Sequence, residues 1–278
     1  MTSTAVTTRF FDVPDGTRLA WDETGDGPTV LFVHGIGYTR RKWEPQIEPV
    51  ARAGYRVVRF DLRGFGESVT PDGKYVMDQF LDDLVRFGAG LGVDRLHLVG
   101  HSLGGMIAQR YALDHSTHVE SLTLVSTTSH NGRRGSAFAK LMVLFAERGF
   151  DAVMADRAVR QEAESVLVEA FGAAVPLSML RRGLEEPSLS RANAWRACIG
   201  FSAKDELSRI ACPALVLHGT ADTLIPFKAG QLVSEAIPGA RFVSEEGAGH
   251  SLPKERADSF NRELIDFLAA ASRAARSP

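Results

Sequence analysis

Cysteine is scarce in this chain of 278 residues, with only Cys198 and Cys212 present. Two cysteines by themselves do not form a metal-binding cluster, and one possible disulfide is weak support for a secreted protein. Residues 1–10 also lack the apolar stretch preceded by positive charge that marks a secretory signal. From these absences we expect a reduced, cytoplasmic protein.

Long apolar runs and an excess of either charge are missing as well. No apolar run approaches the roughly 20 residues that a membrane-spanning helix requires. The chain has 32 lysines and arginines against 34 aspartates and glutamates, a formal net charge of −2. Such a near balance provides no general attraction to nucleic acid or to an anionic membrane. We therefore expect neither kind of partner.

Strand-like and helix-like segments alternate in the first half of the chain. Residues 9–13 and 17–24 flank the turn Pro-Asp-Gly and predict a hairpin. Residues 29–35, 55–62 and 95–101 are short apolar runs of the kind buried on both faces of a sheet, with helical segments between them. This alternation predicts an α/β fold with parallel strands and right-handed crossovers.

The alternation stops at residues 130–208, which contain no convincing buried strand. A helical stripe with the spacing i, i+3, i+4, i+7 is formed there by Phe138, Leu141, Met142 and Phe145. The alternation resumes at residue 214. We therefore predict an α/β core of residues 1–129 and 209–278, interrupted by a helical insertion of residues 130–208.

Ser102 lies in the sequence Gly-His-Ser-Leu-Gly, residues 100–104, which fits G-x-S-x-G between a predicted strand and a predicted helix. At such a sharp turn the serine side chain points away from the backbone, and small neighbours let strand and helix approach. The start of the helix also presents free N–H groups near the serine. A glycine-rich turn that serves only packing is the alternative, but the strand-turn-helix context favours a nucleophile.

A serine nucleophile needs a base, and the base needs an acid to orient it. In folds of this kind the chain order is Ser, then Asp or Glu, then His. Asp222 follows the predicted strand 214–220, and His250 follows the strand-like residues 240–246. Both would lie at the carboxyl ends of parallel strands. An isolated aspartate in such a loop usually caps a turn, and an isolated histidine is usually structural. The order of the three residues along the chain, each at the end of a predicted strand, indicates a Ser-His-Asp triad.

His101, the immediate neighbour of Ser102, is the competing candidate for the base. Neighbouring side chains diverge at a sharp turn, so its ring should point away from the serine hydroxyl. We therefore expect His250 to be the base. We expect His101 to pack beside the turn or to form a hydrogen bond near His34.

The segment His-Gly-Ile-Gly, residues 34–37, follows a predicted strand where such enzymes supply one donor of an oxyanion hole. We assign the two donors to the backbone N–H groups of Ile36 and Leu103. Leu103 directly follows the candidate nucleophile, and the glycines at 35 and 37 would let the backbone approach a substrate oxygen. A plain strand-to-loop turn is the alternative for residues 34–37, and the adjacent triad makes it less favoured.

Five segments together resemble the α/β-hydrolase superfamily over nearly the whole chain outside the insertion: LFVHGIG, FDLRGFGES, LVGHSLGGMIAQ, LVLHGTADTLIP and GAGHSL. The resemblance implies a mostly parallel eight-stranded sheet flanked by helices, with a helical cap inserted after the sixth strand. It implies a small-molecule substrate and no metal or organic cofactor. Epoxide hydrolases and dehalogenases of this superfamily use an aspartate where this chain has Ser102, so they are disfavoured.

Two further segments, residues 102–113 and 197–217, resemble the 3-oxoadipate enol-lactonases and related carboxylesterases. Residues 258–268 resemble the end of the meta-cleavage C–C hydrolases, but those carry a tryptophan where this chain has Ser251. We therefore predict a serine hydrolase that cleaves a carboxylic ester or lactone through an acyl-enzyme. A C–C bond hydrolase on the same triad and a ligand-binding protein without catalysis are the alternatives.

Met142, Met154 and Met179 are three of the six methionines of the chain, and all fall in the insertion. Methionine is flexible and adapts to irregular surfaces, so these side chains are candidates for a substrate-pocket wall. They are equally suited to the insertion's own core. Nothing in the pattern points to an oligomeric state.

Overall fold

A computed structural model describes residues 7–171 and 184–276. Its eight strands form one sheet and are β1 (Arg9–Asp12), β2 (Arg18–Thr24), β3 (Thr29–Val33), β4 (Arg56–Phe60), β5 (Leu96–His101), β6 (Val119–Val125), β7 (Ala214–Gly219) and β8 (Arg241–Glu245). The order across the sheet is β1-β2-β4-β3-β5-β6-β7-β8. Two pairs, β1–β2 and β2–β4, are antiparallel, and the other five pairs are parallel. The prediction of eight, mostly parallel strands is confirmed, and so is the N-terminal hairpin.

The described α-helices are α1 (Glu44–Arg52), α2 (Met77–Gly90), α3 (Leu103–Asp114), α4 (Arg133–Arg148), α5 (Phe150–Ala155), α6 (Arg157–Phe171), α7 (Leu189–Cys198), α8 (Phe227–Ala236), α9 (Leu252–Glu255) and α10 (Ala257–Arg276). Among them, α1, α3, α8 and α10 contact the strands of the sheet, and so does α2, through Phe87 against Phe11, Trp21 and Phe60. None of the helices in the described ranges is long and apolar enough to cross a membrane.

The central strands are apolar on both faces because helices cover both sides of the sheet. Every residue of β3, β5 and β7 is buried. Three histidines interrupt these apolar runs, namely His97 and His101 on β5 and His218 on β7, and all three are buried. Buried polar side chains require hydrogen-bond partners, so the partners of these histidines are informative about the site.

The chain divides into two compact units. The first consists of Met1–Pro71, Leu81–Ser129 and Ala203–Pro278, and the second of Asp72–Phe80 and His130–Ser202. The first unit holds the whole sheet and all the triad and oxyanion residues proposed from the sequence. Residues 72–80 belong to the second unit, where Asn193 Nδ2 donates to the carbonyl of Gly73 at 2.8 Å.

The second unit is helical in its described residues. The predicted stripe on α4 is buried, with Phe145 stacked on Phe150 at a ring separation of 5.6 Å and Phe138 edge-on to Trp195 at 5.6 Å. Met142 belongs to this buried stripe, whereas Met154 on α5 is half-buried. Met179 lies outside the described residues.

Candidate active site

Ser102 stands at the junction of β5 and α3, where its backbone has φ 55° and ψ −119°. A positive φ is uncommon for a residue other than glycine and costs on the order of 1–3 kcal/mol, so the surroundings must hold it. The N–H of Ser102 donates to the carbonyl of Val125 on β6 at 3.0 Å. Its carbonyl accepts from Thr127 Oγ1 at 2.8 Å. The sharp turn is therefore held by the end of β6 and by the segment that follows it.

The glycines on either side of Ser102 are needed for close backbone approach. A Cβ added at Gly100 would lie 2.4 Å from the carbonyl oxygen of Gly104. A Cβ added at Gly104 would lie 2.3 Å from the carbonyl oxygen of Val33 on β3. Both distances are well inside van der Waals contact, so neither position accepts a larger side chain.

Asp222 follows β7, His250 follows β8, and their side chains meet. His250 Nδ1–H donates to Asp222 Oδ2 at 2.8 Å. The other carboxylate oxygen accepts the backbone N–H groups of Leu224 and Ile225, each at 2.9 Å. Within the described ranges, His250 Nε2 has no hydrogen-bond partner. It is therefore the ring nitrogen that is free to exchange a proton.

The connection between Ser102 and this pair is indirect. The described residues include no hydrogen bond between Ser102 Oγ and His250. The ring of His101, next to Ser102, instead lies 4.8 Å from the ring of His250, centre to centre. Contacts between a nucleophile and its base are often long in sites without substrate and tighten when substrate binds.

His218 is a second imidazole beside the acid, and it was not predicted from the sequence. Its Nε2 lies 3.3 Å from Asp222 Oδ2 and 2.9 Å from the carbonyl oxygen of Ile225. Its side chain is fully buried. The available signal was a polar residue in an otherwise apolar strand, four positions before Asp222.

The ionised form of Asp222 is strongly favoured. Burial alone would raise the pKa of its carboxyl group, but hydrogen bonds from His218 and His250 act in the opposite direction. The positive charge that His250 can carry and the backbone N–H of Ile225 add to this effect, and the net pKa lies well below its ordinary value. Asp222 is therefore a carboxylate throughout the neutral range, as the partner of an imidazolium must be.

The variant Asp222→Asn should lower kcat by about 10²- to 10⁴-fold near neutral pH, because an amide allows the wrong imidazole tautomer. Since folding depresses its pKa, Asp222 contributes stability above its unfolded pKa of about 3.9, and this contribution is lost as the pH falls through the folded pKa. The difference in unfolding free energy between parent and variant should therefore shrink below about pH 4. Urea unfolding at several pH values measures it.

The control for this variant is Asp205→Asn, which changes an exposed aspartate of the same unit. It should leave kcat and the pH dependence of unfolding close to those of the parent. An Asp222→Asn enzyme with nearly parental kcat would place the acid elsewhere.

The candidate oxyanion donors lie on two converging segments. Ile36 follows β3, and Leu103 is the first residue of α3. In the part of the chain that the structure describes, neither backbone N–H donates to a protein acceptor. Two free donors beside a strained nucleophile are what an oxyanion hole requires.

His34 stabilises the loop that carries Ile36. The backbone N–H of Leu62 donates to His34 Nε2 at 2.9 Å, so the proton of the neutral ring is on Nδ1, which donates to the carbonyl of Gly35 at 2.8 Å. Burial is the main cause that lowers the pKa of His34 to about 4. The ring therefore stays neutral and keeps this tautomer at physiological pH.

His101 lies beside the turn, as predicted from the sequence, but its hydrogen bond is not to the region of His34. Its Nε2–H donates to the backbone carbonyl of His250 at 2.8 Å. The side chain is fully buried, with the rings of Tyr38 and Trp43 edge-on to it at 5.6 Å and 6.4 Å. This contact joins the two histidines that competed for the role of base.

Known proteins are similar to this chain over nearly its whole length. A family model described as the alpha/beta hydrolase fold matches residues 28–257. A protein of Variovorax paradoxus (strain S110) named "Putative carbamate hydrolase RutD" is 30% identical over 258 residues, covering 89% of this chain and 94% of that protein.

Solved structures extend the comparison. A hydrolase from Pseudomonas aeruginosa PA01 has a TM-score of 0.76 and 29% identity, covering 95% of this chain and 99% of its own. The enol-lactonase from Burkholderia xenovorans LB400 has a TM-score of 0.72 and 28% identity, covering 94% of this chain and 100% of its own. The similarity therefore includes the sheet, the loops that carry the candidate residues and the insertion.

Proposed function

This chain belongs to the alpha/beta hydrolase family and is an enzyme, and we propose that it hydrolyses a small carboxylic ester or lactone on Ser102. The observation that carries the proposal is the hydrogen bond between Asp222 and His250, which leaves His250 Nε2 free. The strained turn at Ser102 supplies a matching nucleophile at the same edge of the sheet. Similarity to an enol-lactonase supports the choice of substrate class.

The first half of the reaction forms an acyl-enzyme. His250 Nε2 takes the proton of the Ser102 hydroxyl as Ser102 Oγ bonds to the carbonyl carbon of the substrate. Asp222 holds Nδ1–H and stabilises the imidazolium. The N–H groups of Ile36 and Leu103 bind the oxyanion of the tetrahedral intermediate. His250 then returns the proton to the departing alkoxide, and the carbon–oxygen bond of the ester breaks.

The second half releases the acid. Water replaces the alcohol, His250 Nε2 removes one of its protons, and the resulting oxygen bonds to the acyl carbon. Collapse of the second tetrahedral intermediate breaks the bond to Ser102 Oγ, which regains a proton from His250. With a lactone, both products are parts of one hydroxy acid.

The test is a panel of short acyl esters, aryl esters, lactones, carbamates and a vinylogous diketone, combined with labelling by a fluorophosphonate. We expect turnover on an ester or lactone and covalent labelling of Ser102. Preference for the diketone would favour C–C bond hydrolysis, and preference for a carbamate would favour the activity for which the Variovorax relative is named. No turnover on these substrates and no labelling would overturn the proposal that Ser102 is the nucleophile of an ester or lactone hydrolase.

The same panel tests whether the methionines of residues 130–208 contribute to substrate choice, as we propose from their flexible side chains. At least one of Met142→Ala and Met154→Ala should change the ranking of substrates. The control is Leu141→Ala, which removes another buried side chain of α4 and should lower stability without changing the ranking. If the ranking of substrates is unchanged in both variants, Met142 and Met154 are core residues and not part of a pocket wall.

A further inference from the structure

His101 bridges three parts of the candidate active site. It ends β5 and directly precedes Ser102. Its Nε2–H donates to the carbonyl of His250 at 2.8 Å. Its Nδ1 faces the loop after β3, because a Cβ added at Gly35 would lie 2.9 Å from that atom. One ring therefore contacts the segments that carry the nucleophile, the base and an oxyanion donor.

The hydrogen bond fixes the tautomer of His101. A carbonyl oxygen only accepts, so the proton of the neutral ring is on Nε2, and Nδ1 is unprotonated. Nδ1 has no hydrogen-bond partner in the described residues. Burial, the nearby Lys42 ammonium and the neighbouring His250 hold the pKa of His101 well below its ordinary value. The ring is therefore neutral and donates through Nε2–H, and its depressed pKa makes the unprotonated Nδ1 a poor base for Ser102.

The base is held at two points. Its side chain is bound through Nδ1 to Asp222, and its backbone is bound through the carbonyl to His101. The first contact alone leaves the residue able to pivot about Nδ1, which would swing Nε2. The second fixes the backbone from which the ring extends, and so restricts that movement. A displacement of about 1 Å in a reacting group can cost on the order of 10²-fold in rate.

We propose that His101 is a positioning residue that sets the location of His250 Nε2 relative to Ser102 through its hydrogen bond to the His250 carbonyl. The proposal rests on the proposed function, since it assigns His250 as the base. It also accounts for a histidine at the second position of G-x-S-x-G, directly before the serine, where a smaller apolar residue would fill the space without donating a hydrogen bond.

Three substitutions distinguish the effect of losing the hydrogen-bond donor from the effect of changing the side-chain volume. His101→Phe keeps a ring and loses the donor. His101→Gln places an amide N–H near the position of Nε2, whereas the shorter amide of His101→Asn reaches only about as far as Nδ1. We expect kcat to fall about 10- to 100-fold in the Phe and Asn variants, with KM changed little. The Gln variant should stay within a few-fold of the parent.

The second readout is the rate of fluorophosphonate labelling of Ser102, which should fall in parallel with kcat because both need the base in place. If the role of His101 were purely structural, the substitutions would lower the melting temperature, and the Gln and Asn variants would have similar kcat values. If the Phe variant does not fold, the comparison of kcat between the Gln and Asn variants still tests the proposal. Equal activity in Gln and Asn, or a parental kcat in folded Phe, would overturn the proposal. Ser102→Ala measured alongside separates the outcomes, because its residual turnover bears on the serine mechanism alone.

Discussion

Replacing Ser102 with alanine is expected to lower kcat by roughly 10⁴-fold or more, because the substitution removes the atom that attacks the carbonyl. The fold should be retained, since Oγ of Ser102 has no hydrogen-bond partner among the described residues and the backbone contacts of the turn use the N–H and carbonyl. Steady-state kinetics on the best ester or lactone, together with a thermal melt, measure both effects.

Ser126 offers a matched control for this experiment. It also has a positive φ, 45°, and a buried hydroxyl without a hydrogen-bond partner in the described part of the chain. Ser126→Ala therefore removes the same atom from a similarly strained backbone, and we expect it to keep most of the parental activity. If Ser102→Ala turns over within about tenfold of the parent, the serine mechanism is wrong.

Replacing His250 with alanine should lower kcat by a comparable factor, on the order of 10⁴-fold or more, because the nucleophile then has no base. Labelling of Ser102 by a fluorophosphonate should slow as well, since it depends on the same proton transfer. The measurement is the second-order labelling rate constant beside kcat.

His115→Ala serves as the control, because His115 is a half-buried histidine that follows α3 and lies outside the proposed site. It should label and turn over like the parent. An active His250→Ala enzyme, combined with a folded but inactive His101→Gln enzyme, would identify His101 as the base and rule out His250.

The parts of the site that the sequence predicted are those encoded by local pattern. The turn at Ser102 follows from glycine spacing between a strand and a helix, and the close approaches at Gly100 and Gly104 give the physical reason for that spacing. Asp222 and His250 were identified because each follows a strand, and parallel strands bring their carboxyl ends to one edge.

The contacts that were missed join segments distant in the chain or depend on side-chain direction. His101 and His250 are separated by 149 positions, and no local pattern indicates that one ring meets the other residue's carbonyl. His218 is close to Asp222 in sequence, but its position within an apolar strand hid its contact with the carboxylate. Both contacts depend on tertiary packing, which cannot be read from a single sequence.

The segment between β6 and β7 also has a consequence for the order of folding. These strands pair side by side although β6 ends at Val125 and β7 begins at Ala214. Closing a long loop costs little extra equilibrium stability, about 0.6 kcal/mol per doubling of its length, but pairings between distant segments form slowly. The serine turn is built from β3, β5 and β6, whereas the acid and base arrive with β7 and β8. During synthesis the residues of the serine turn are therefore made before the proposed acid and base, so a chain that ends before β7 contains Ser102 but neither Asp222 nor His250 to activate it.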